Sequence, residues 1–272
     1  MSVKRTIKAL GLDPRTTRDA VKGMAVFRKN KRDFLEAAQG RTEWEIGDDW
    51  PCLADRYDPS GVATGQYFHQ DLYVAQQIFV AKPTAHVDAG SRVDGFVAHV
   101  ATFMPVEFLD IRPLASSAAN ISFGQRDLMT VDPTFDNYTD SLSCLHTLEH
   151  FGLGRYGDPI NYDGYLRGWE SLTRMVRPGG IFYFSVPISN RPRIEFDAHR
   201  LFGMPYLREM IEPHFDIVST AAVGDDNELR RDLDAHSVEA DRTFDIEYGC
   251  AIFVLRKHDA VQNLAGPADT ND

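Results

Sequence analysis

Apolar positions follow two different periods along this chain. Over 71–82, Leu72, Ala75, Ile78 and Phe79 recur at helical spacing and Pro83 ends the pattern, which predicts a helix. Residues 15–38 predict an earlier helix with a basic face, and 39–66 a connection punctuated by Gly, Asp and Pro. After Pro83 short apolar runs take over. Runs at 85–88, 106–111, 121–124 and 141–145 read as strands, with a helix over 95–103. The best-marked helix has Asp163 at its N-cap and Tyr165, Leu166, Trp169, Leu172, Met175 and Val176 on one face. Pro178-Gly179-Gly180 follows and cannot continue it. Residues 181–186, Ile-Phe-Tyr-Phe-Ser-Val, are almost continuously apolar, as in a strand buried on both faces. A helix over 205–211 and strands over 215–223 and 250–256 complete the series.

Strands alternating with helices predict an α/β fold with a mostly parallel sheet covered on both faces. In such a sheet a ligand lies beyond the carboxyl ends of the strands. The positions of interest are therefore 88–95, Asp110, Asp127, 146–158 and 187–200.

Composition narrows the class. The 272 residues, 43% hydrophobic and 25% charged, exclude a disordered chain, a collagen-like repeat and a disulfide-dense miniprotein. A net charge of −11 makes the surface a poor partner for polyanions, so no nucleic acid is expected. Residues 1–35 nevertheless carry ten Lys or Arg against three Asp. Such an arm suits weak contact with anionic lipid or a protein partner, while a solvated helix with a charged face is the simpler account. No stretch reaches the ~18 apolar residues of a membrane span, and the start lacks the features of a signal peptide. Cys52, Cys144 and Cys250 lie far apart, two of them in apolar runs, as reduced thiols of a cytoplasmic protein would. The expected division is a basic helical extension with its linker over 1–69, an α/β domain over 70–257 and a polar tail over 258–272.

Three constellations carry chemistry. Asp88, Gly90 and Ser91 join a strand to a helix start through a glycine turn, where backbone N–H groups meet a ligand. A phosphate-cradling P-loop is disfavoured, because its Gly-Lys-Ser/Thr ending is absent. Asp110 ends the next strand 22 positions after Asp88, where a ribose hydroxyl pair is commonly held. Asp127 stands at the following strand end, suited to an adenine amino group. The densest block is His146-Thr147-Leu148-Glu149-His150-Phe151-Gly152-Leu153-Gly154-Arg155-Tyr156-Gly157-Asp158-Pro159. Its His-x-x-Glu-His also matches an inverted zinc-peptidase motif. That motif needs one helix long enough to hold both histidines on a face, and three glycines follow too closely for that.

With Asp88-x-Gly90, Asp110, Asp127, Leu-His-Thr-Leu-Glu-His and Arg-Pro-Gly-Gly-Ile-Phe-Tyr-Phe-Ser-Val-Pro in one order, the chain resembles class I S-adenosylmethionine-dependent methyltransferases. The block from Leu145 to Pro159 resembles, more narrowly, a bacterial group of unknown function associated with surface-polysaccharide genes. The resemblance spans roughly 70–256. It implies a Rossmann-like seven-stranded sheet with an antiparallel last strand, binding S-adenosylmethionine at the strand tips. Carried over, Asp88, Gly90 and Ser91 face the methionine part and Asp110 the ribose. Asp127 and Leu128 then face the adenine, and Leu145 and His146 flank the sulfonium. Arg92 and Asp94 replace the later glycines of the family's turn, so Arg92 either pairs with the cofactor carboxylate or obstructs the site.

The implied activity is O-methylation of a sugar or glycan precursor. His146, His150 and His199 are the candidate bases, and Glu149 is an orienter or metal ligand. A degenerate scaffold or glycan-binding subunit of the same fold, and a zinc hydrolase, are the alternatives.

Overall fold

The computed structural model describes residues 14–41 and 44–259. They divide into two compact units between Val62 and Ala63. The first holds helix α1 (Pro14–Ala37). Ion pairs Lys29–Asp33, Lys31–Asp49 and Arg32–Asp33 occupy part of its basic face. Lys4, Arg5 and Lys8 of the basic arm, and the polar tail from residue 260 onward, lie outside the described residues. No helix among the described residues is long and apolar enough to cross a membrane.

The second unit is built on one sheet. Its parallel part comprises β1 (His86–Ala89), β2 (Val106–Asp110), β3 (Ile121–Gln125), β4 (Thr139–Leu145) and β5 (Val176–Ile188). A small hairpin, β6 (Arg193–Glu195) and β7 (His199–Leu201), stands apart. β8 (Phe215–Val223), β9 (Leu229–Arg230) and β10 (Gly249–Lys257) close the series, in the order β3-β2-β1-β4-β5-β10-β8-β9. β10 runs antiparallel to both β5 and β8. The sheet is Rossmann-like, and it has eight strands rather than the expected seven. The additional one, β9, is a two-residue pairing of Leu229 and Arg230 with β8. A pair of residues inside a charged stretch has no period to read.

Alternation along the strands builds two cores. Phe182, Phe184, Phe253 and Leu255 face one side, with α4 (Gly164–Met175) and α5 (Met204–Ile211) packed on them through Trp169, Leu172, Leu207 and Ile211. Tyr183, Ile252 and Val254 face the other side, against α2 (Gln66–Ala81) through Tyr73, Val74 and Ile78. Each buried side chain of this size contributes about 1.5–3 kcal/mol, so a one-residue slip of register would be costly on both faces at once.

The local signals act largely as expected, with three differences. α4 stops at Met175 and the chain enters β5 directly. Pro178-Gly179-Gly180 is taken up as an irregularity, with Thr139 opposite Val176 but Ser141 already opposite Ile181. Asp163 occupies the N-cap of α4, yet its side chain makes no capping bond. The helix expected over 95–103 is a π-turn at Val93–Val97 followed by the single turn α3 (Ala98–Ala101), because Gly95 departs from helical geometry.

Strand order reverses between β2-β1 and β4-β5, and a crevice opens beyond the carboxyl ends at that point.

Candidate active site

A cavity of about 280 Å3 lies there, near the lower end of the range for small-molecule sites. Gly90, Asp110, Asp127, Leu128, Leu145, His146 and His150 line it. Asp88, Ser91, Glu149 and His199 do not.

The reason for Asp88 is local. Its carboxylate is fully buried and accepts bonds from Ser91 N at 2.9 Å, Ser91 Oγ at 2.7 Å and Ser143 Oγ at 2.5 Å. Burial still pushes its pKa up to about 6. Both Asp88 and Ser91 thus hold the turn from within, and the ligand-facing member is Gly90. Gly90 has φ +76, and a Cβ there would lie 2.4 Å from the Thr147 side chain.

Asp110 reaches the cavity already engaged. Arg112 donates to it through its backbone N at 2.8 Å, Nε at 3.0 Å and Nη2 at 2.7 Å. The same guanidinium lies 4.3 Å from the centre of the Tyr156 ring. Arg92, the residue that departs from the family turn, also lines the cavity. It forks onto Asp94 at 3.1 and 2.9 Å, and both side chains are mostly exposed.

His146 follows β4 with a positive φ of +50, an uncommon conformation for a residue with a Cβ. Its Nδ1 donates to Gln70 Oε1 at 2.6 Å, its Nε2 lies 3.1 Å from Gln66 Oε1, and the Tyr67 ring packs at 4.9 Å. Burial drives its pKa down to about 3. His150 donates from Nδ1 to the Ala198 carbonyl at 2.7 Å, which leaves the lone pair on Nε2 facing Glu149 Oε1 at 3.6 Å. Its pKa is also lowered by burial, to about 4. Ala198 lies in the turn between β6 and β7, so this bond holds the hairpin against the 148–150 turn. Arg200 strengthens that junction, donating to the carbonyls of Glu149, Phe151 and Tyr162. His199 sits farther out, beside Tyr248 and 3.7 Å from Glu195.

The zinc-hydrolase alternative lacks its scaffold. Residues Leu148–His150 form one short 3-10 turn, so His146 and His150 do not share a helix face. Among the described residues no three His, Cys, Asp or Glu side chains are grouped to hold a metal. Cys144 and Cys250 are buried free thiols, whereas Cys52 is exposed.

Glu149 is fully buried and neither carboxyl oxygen has a hydrogen-bond partner. Desolvation pushes its pKa up to about 8, so the folded protein keeps a proton that the unfolded chain releases near 4.5. This group therefore stabilises fully below pH 4.5 and its contribution is lost as pH rises toward 8. Asp88 acts in the same sense up to about 6. His86, His146 and His150, all held neutral by burial, act oppositely up to their ordinary 6.5. Between pH 6.5 and 8, stability should fall by up to about 1.4 kcal/mol per pH unit. Glu149→Gln should flatten that slope in urea unfolding across the same interval; an equal slope in the variant would show an ionised carboxylate.

Residues 116–258, just over half of the chain, match the family described as Caenorhabditis protein of unknown function, DUF268. The chain belongs to the DUF268 family. The matched segment takes in β4, the 146–158 loop, the β6–β7 hairpin and β10. No curated protein matches the chain. Solved structures similar to this DUF268 member include a Burkholderia thailandensis 1,6-didemethyltoxoflavin-N1-methyltransferase with bound S-adenosylhomocysteine. It is 19% identical with a TM-score of 0.48, over 70% of this chain and 79% of that one. The N-methyltransferase NodS from Bradyrhizobium japonicum, also with S-adenosylhomocysteine, is 12% identical with a TM-score of 0.47, over 78% and 93%. The [4+2]-cyclase SpnF is 16% identical with a TM-score of 0.48, over 80% and 87%. Identities this low speak to the fold alone.

Proposed function

We propose that this DUF268 protein is an S-adenosylmethionine-dependent methyltransferase acting on a hydroxyl of a sugar or glycan precursor, with His146 as the base. One observation carries the reading: the Gly90 turn, the Asp110 strand tip and the His146 imidazole border a single cavity.

The residues present fit the cofactor. At Gly90 the backbone forms the cavity wall without a side chain. An ionised carboxylate offers about four lone-pair sites, and Arg112 uses three of those on Asp110. One site on Oδ2 remains for a ribose hydroxyl, and the half-exposed Arg112 side chain has room to swing aside for the second. Asp127 spends Oδ1 on Met129 N at 2.9 Å, leaving Oδ2 for an adenine amino group. Leu128 and Leu145 supply apolar walls.

When bound, the cofactor supplies an already electrophilic methyl group, so the protein's main task is alignment. Burial disfavours the charged form of His146, so the ring is neutral throughout the neutral range, and with its one proton on Nδ1 against Gln70 Oε1 the lone pair is on Nε2. It accepts the hydroxyl proton, which becomes strongly acidic as the oxygen is alkylated. Half-buried Gln66 is the group an acceptor would displace from Nε2. The alternative of a non-catalytic, glycan-binding scaffold is favoured by a single feature, the Arg112 fork that closes on Asp110.

Calorimetry with S-adenosylmethionine, followed by transfer of a labelled methyl group to a panel of sugars and sugar nucleotides, tests the reading. Cofactor binding with the labelled methyl recovered as an O-methyl ether is expected. Acceptor binding with no heat at millimolar cofactor would favour the scaffold.

A further inference from the structure

Gln66 and Gln70 stand one helical turn apart at the start of α2, and together they bracket the His146 ring from Nε2 and Nδ1. Gln70 is almost fully buried and its amide has little freedom to turn. Its Nε2 donates to Asp71 Oδ1 at 2.9 Å, and a carboxylate only accepts, so Oε1 must face the other way. There Oε1 accepts from the Ser185 hydroxyl and from His146 Nδ1. Gln66 Oε1 lies 3.1 Å from Nε2 as well, but that amide is only half-buried and can turn its NH2 to the ring, so the fixed Gln70 oxygen decides the tautomer of the neutral imidazole.

We propose that Gln70 is the positioning residue of His146: with Asp71 behind it, its amide oxygen holds the proton on Nδ1 and so turns the Nε2 lone pair toward the acceptor. The proposal rests on the reading of His146 as the base. It adds a role for α2, whose contribution here is the amide of Gln70. Two other groups face Nδ1, Ser185 Oγ at 3.5 Å and Cys250 Sγ at 3.7 Å, both farther than the Gln70 oxygen, and the Ser185 hydroxyl already donates to that oxygen. Tyr67 packs against the ring, and burial lowers the pKa of both His150 and His199. The left-handed backbone of His146, with its N–H on the Ser185 carbonyl at 3.0 Å, limits where the ring can go.

Nitrogen-15 NMR of histidine-labelled full-length protein reads the tautomer directly, with no cofactor or acceptor present. The His146 signals should show a neutral ring protonated at Nδ1, from pH 5 to 8. Gln70→Met, close in shape but without the amide, should move the proton predominantly to Nε2, where the Gln66 oxygen can accept it. Gln66→Ala should leave the wild-type pattern unchanged. An Nε2-protonated ring in the wild type overturns the proposal, even without any variant. An unchanged pattern in folded Gln70→Met, or a switch in Gln66→Ala, overturns it as well. Failure of methyl transfer with the tautomer as expected would instead remove the reading of His146 as base.

Discussion

Asp110→Ala is expected to weaken binding of S-adenosylhomocysteine roughly 10- to 100-fold, measured by calorimetry against the wild type. A hydrogen bond to a charged group contributes about 1.5–3 kcal/mol, and every 1.4 kcal/mol is a factor of ten. The lost carboxylate is the side-chain acceptor that the end of β2 presents to the cavity. Two effects of the substitution have to be separated. It removes an acceptor, and it releases the Arg112 guanidinium, which now forks onto that carboxylate while lying over Tyr156. Arg112→Ala distinguishes them. If the arginine merely occupies the ribose position, its removal frees Asp110 and affinity holds or rises. If Asp110→Ala binds the ligand as tightly as the wild type, while melting at a similar temperature, the β2 tip is not a ribose site.

The same region shows where reading the sequence stopped short. The sheet strands were legible because they are bounded by turn residues and several are apolar throughout, as in 181–186. The acid at the end of β2 was legible from spacing alone. The first turn of α2 was not. Gly65 caps that helix with φ +94 and no side-chain bond, and Gln66-Tyr67-Phe68-His69 carries neither an N-cap residue nor an apolar stripe. The helix was therefore expected to begin at Asp71, so of the residues surrounding His146, Gln66 fell at the end of the preceding connection and Tyr67 and Gln70 were assigned to no element. Asp88 illustrates the reverse error. An acid at a strand tip beside a glycine looks ligand-facing. Ser143, more than fifty residues away on β4, makes it an internal tie. Such pairings are set by strand order, which local pattern does not contain. Arg112 and Tyr156 were missed for a related reason: each is an exposed-type residue whose meaning comes only from meeting the other over Asp110.

Gly152→Ala should lower the stability of the protein by about 2–6 kcal/mol, seen as a fall in Tm of roughly 10 °C. Two costs combine. Gly152 has φ +78, where an L side chain adds about 1–3 kcal/mol of backbone strain. A Cβ there would also lie 1.9 Å from the Asn161 carbonyl oxygen, a backbone atom that cannot rotate away, and forced repacking adds about 1–3 kcal/mol more. Gly157 is the internal comparison. It lies in the same loop with φ +84, but a Cβ on it meets nothing within 4 Å, so Gly157→Ala should cost only the strain. The difference between the two variants measures the close approach by itself. That approach matters to the cavity because Asp158 gathers the loop through the backbone N–H groups of Gly152, Gly154 and Tyr156. Phe151, Tyr156 and Asp158 in turn form one wall of the site. If both variants melt alike, the loop is not packed on Asn161, and the wall that carries Tyr156 and Arg112 is not built as described. If Gly152→Ala alone is destabilised, the glycines that make the 146–158 segment unreadable as a helix are what allow it to fold back beside His146 and His150.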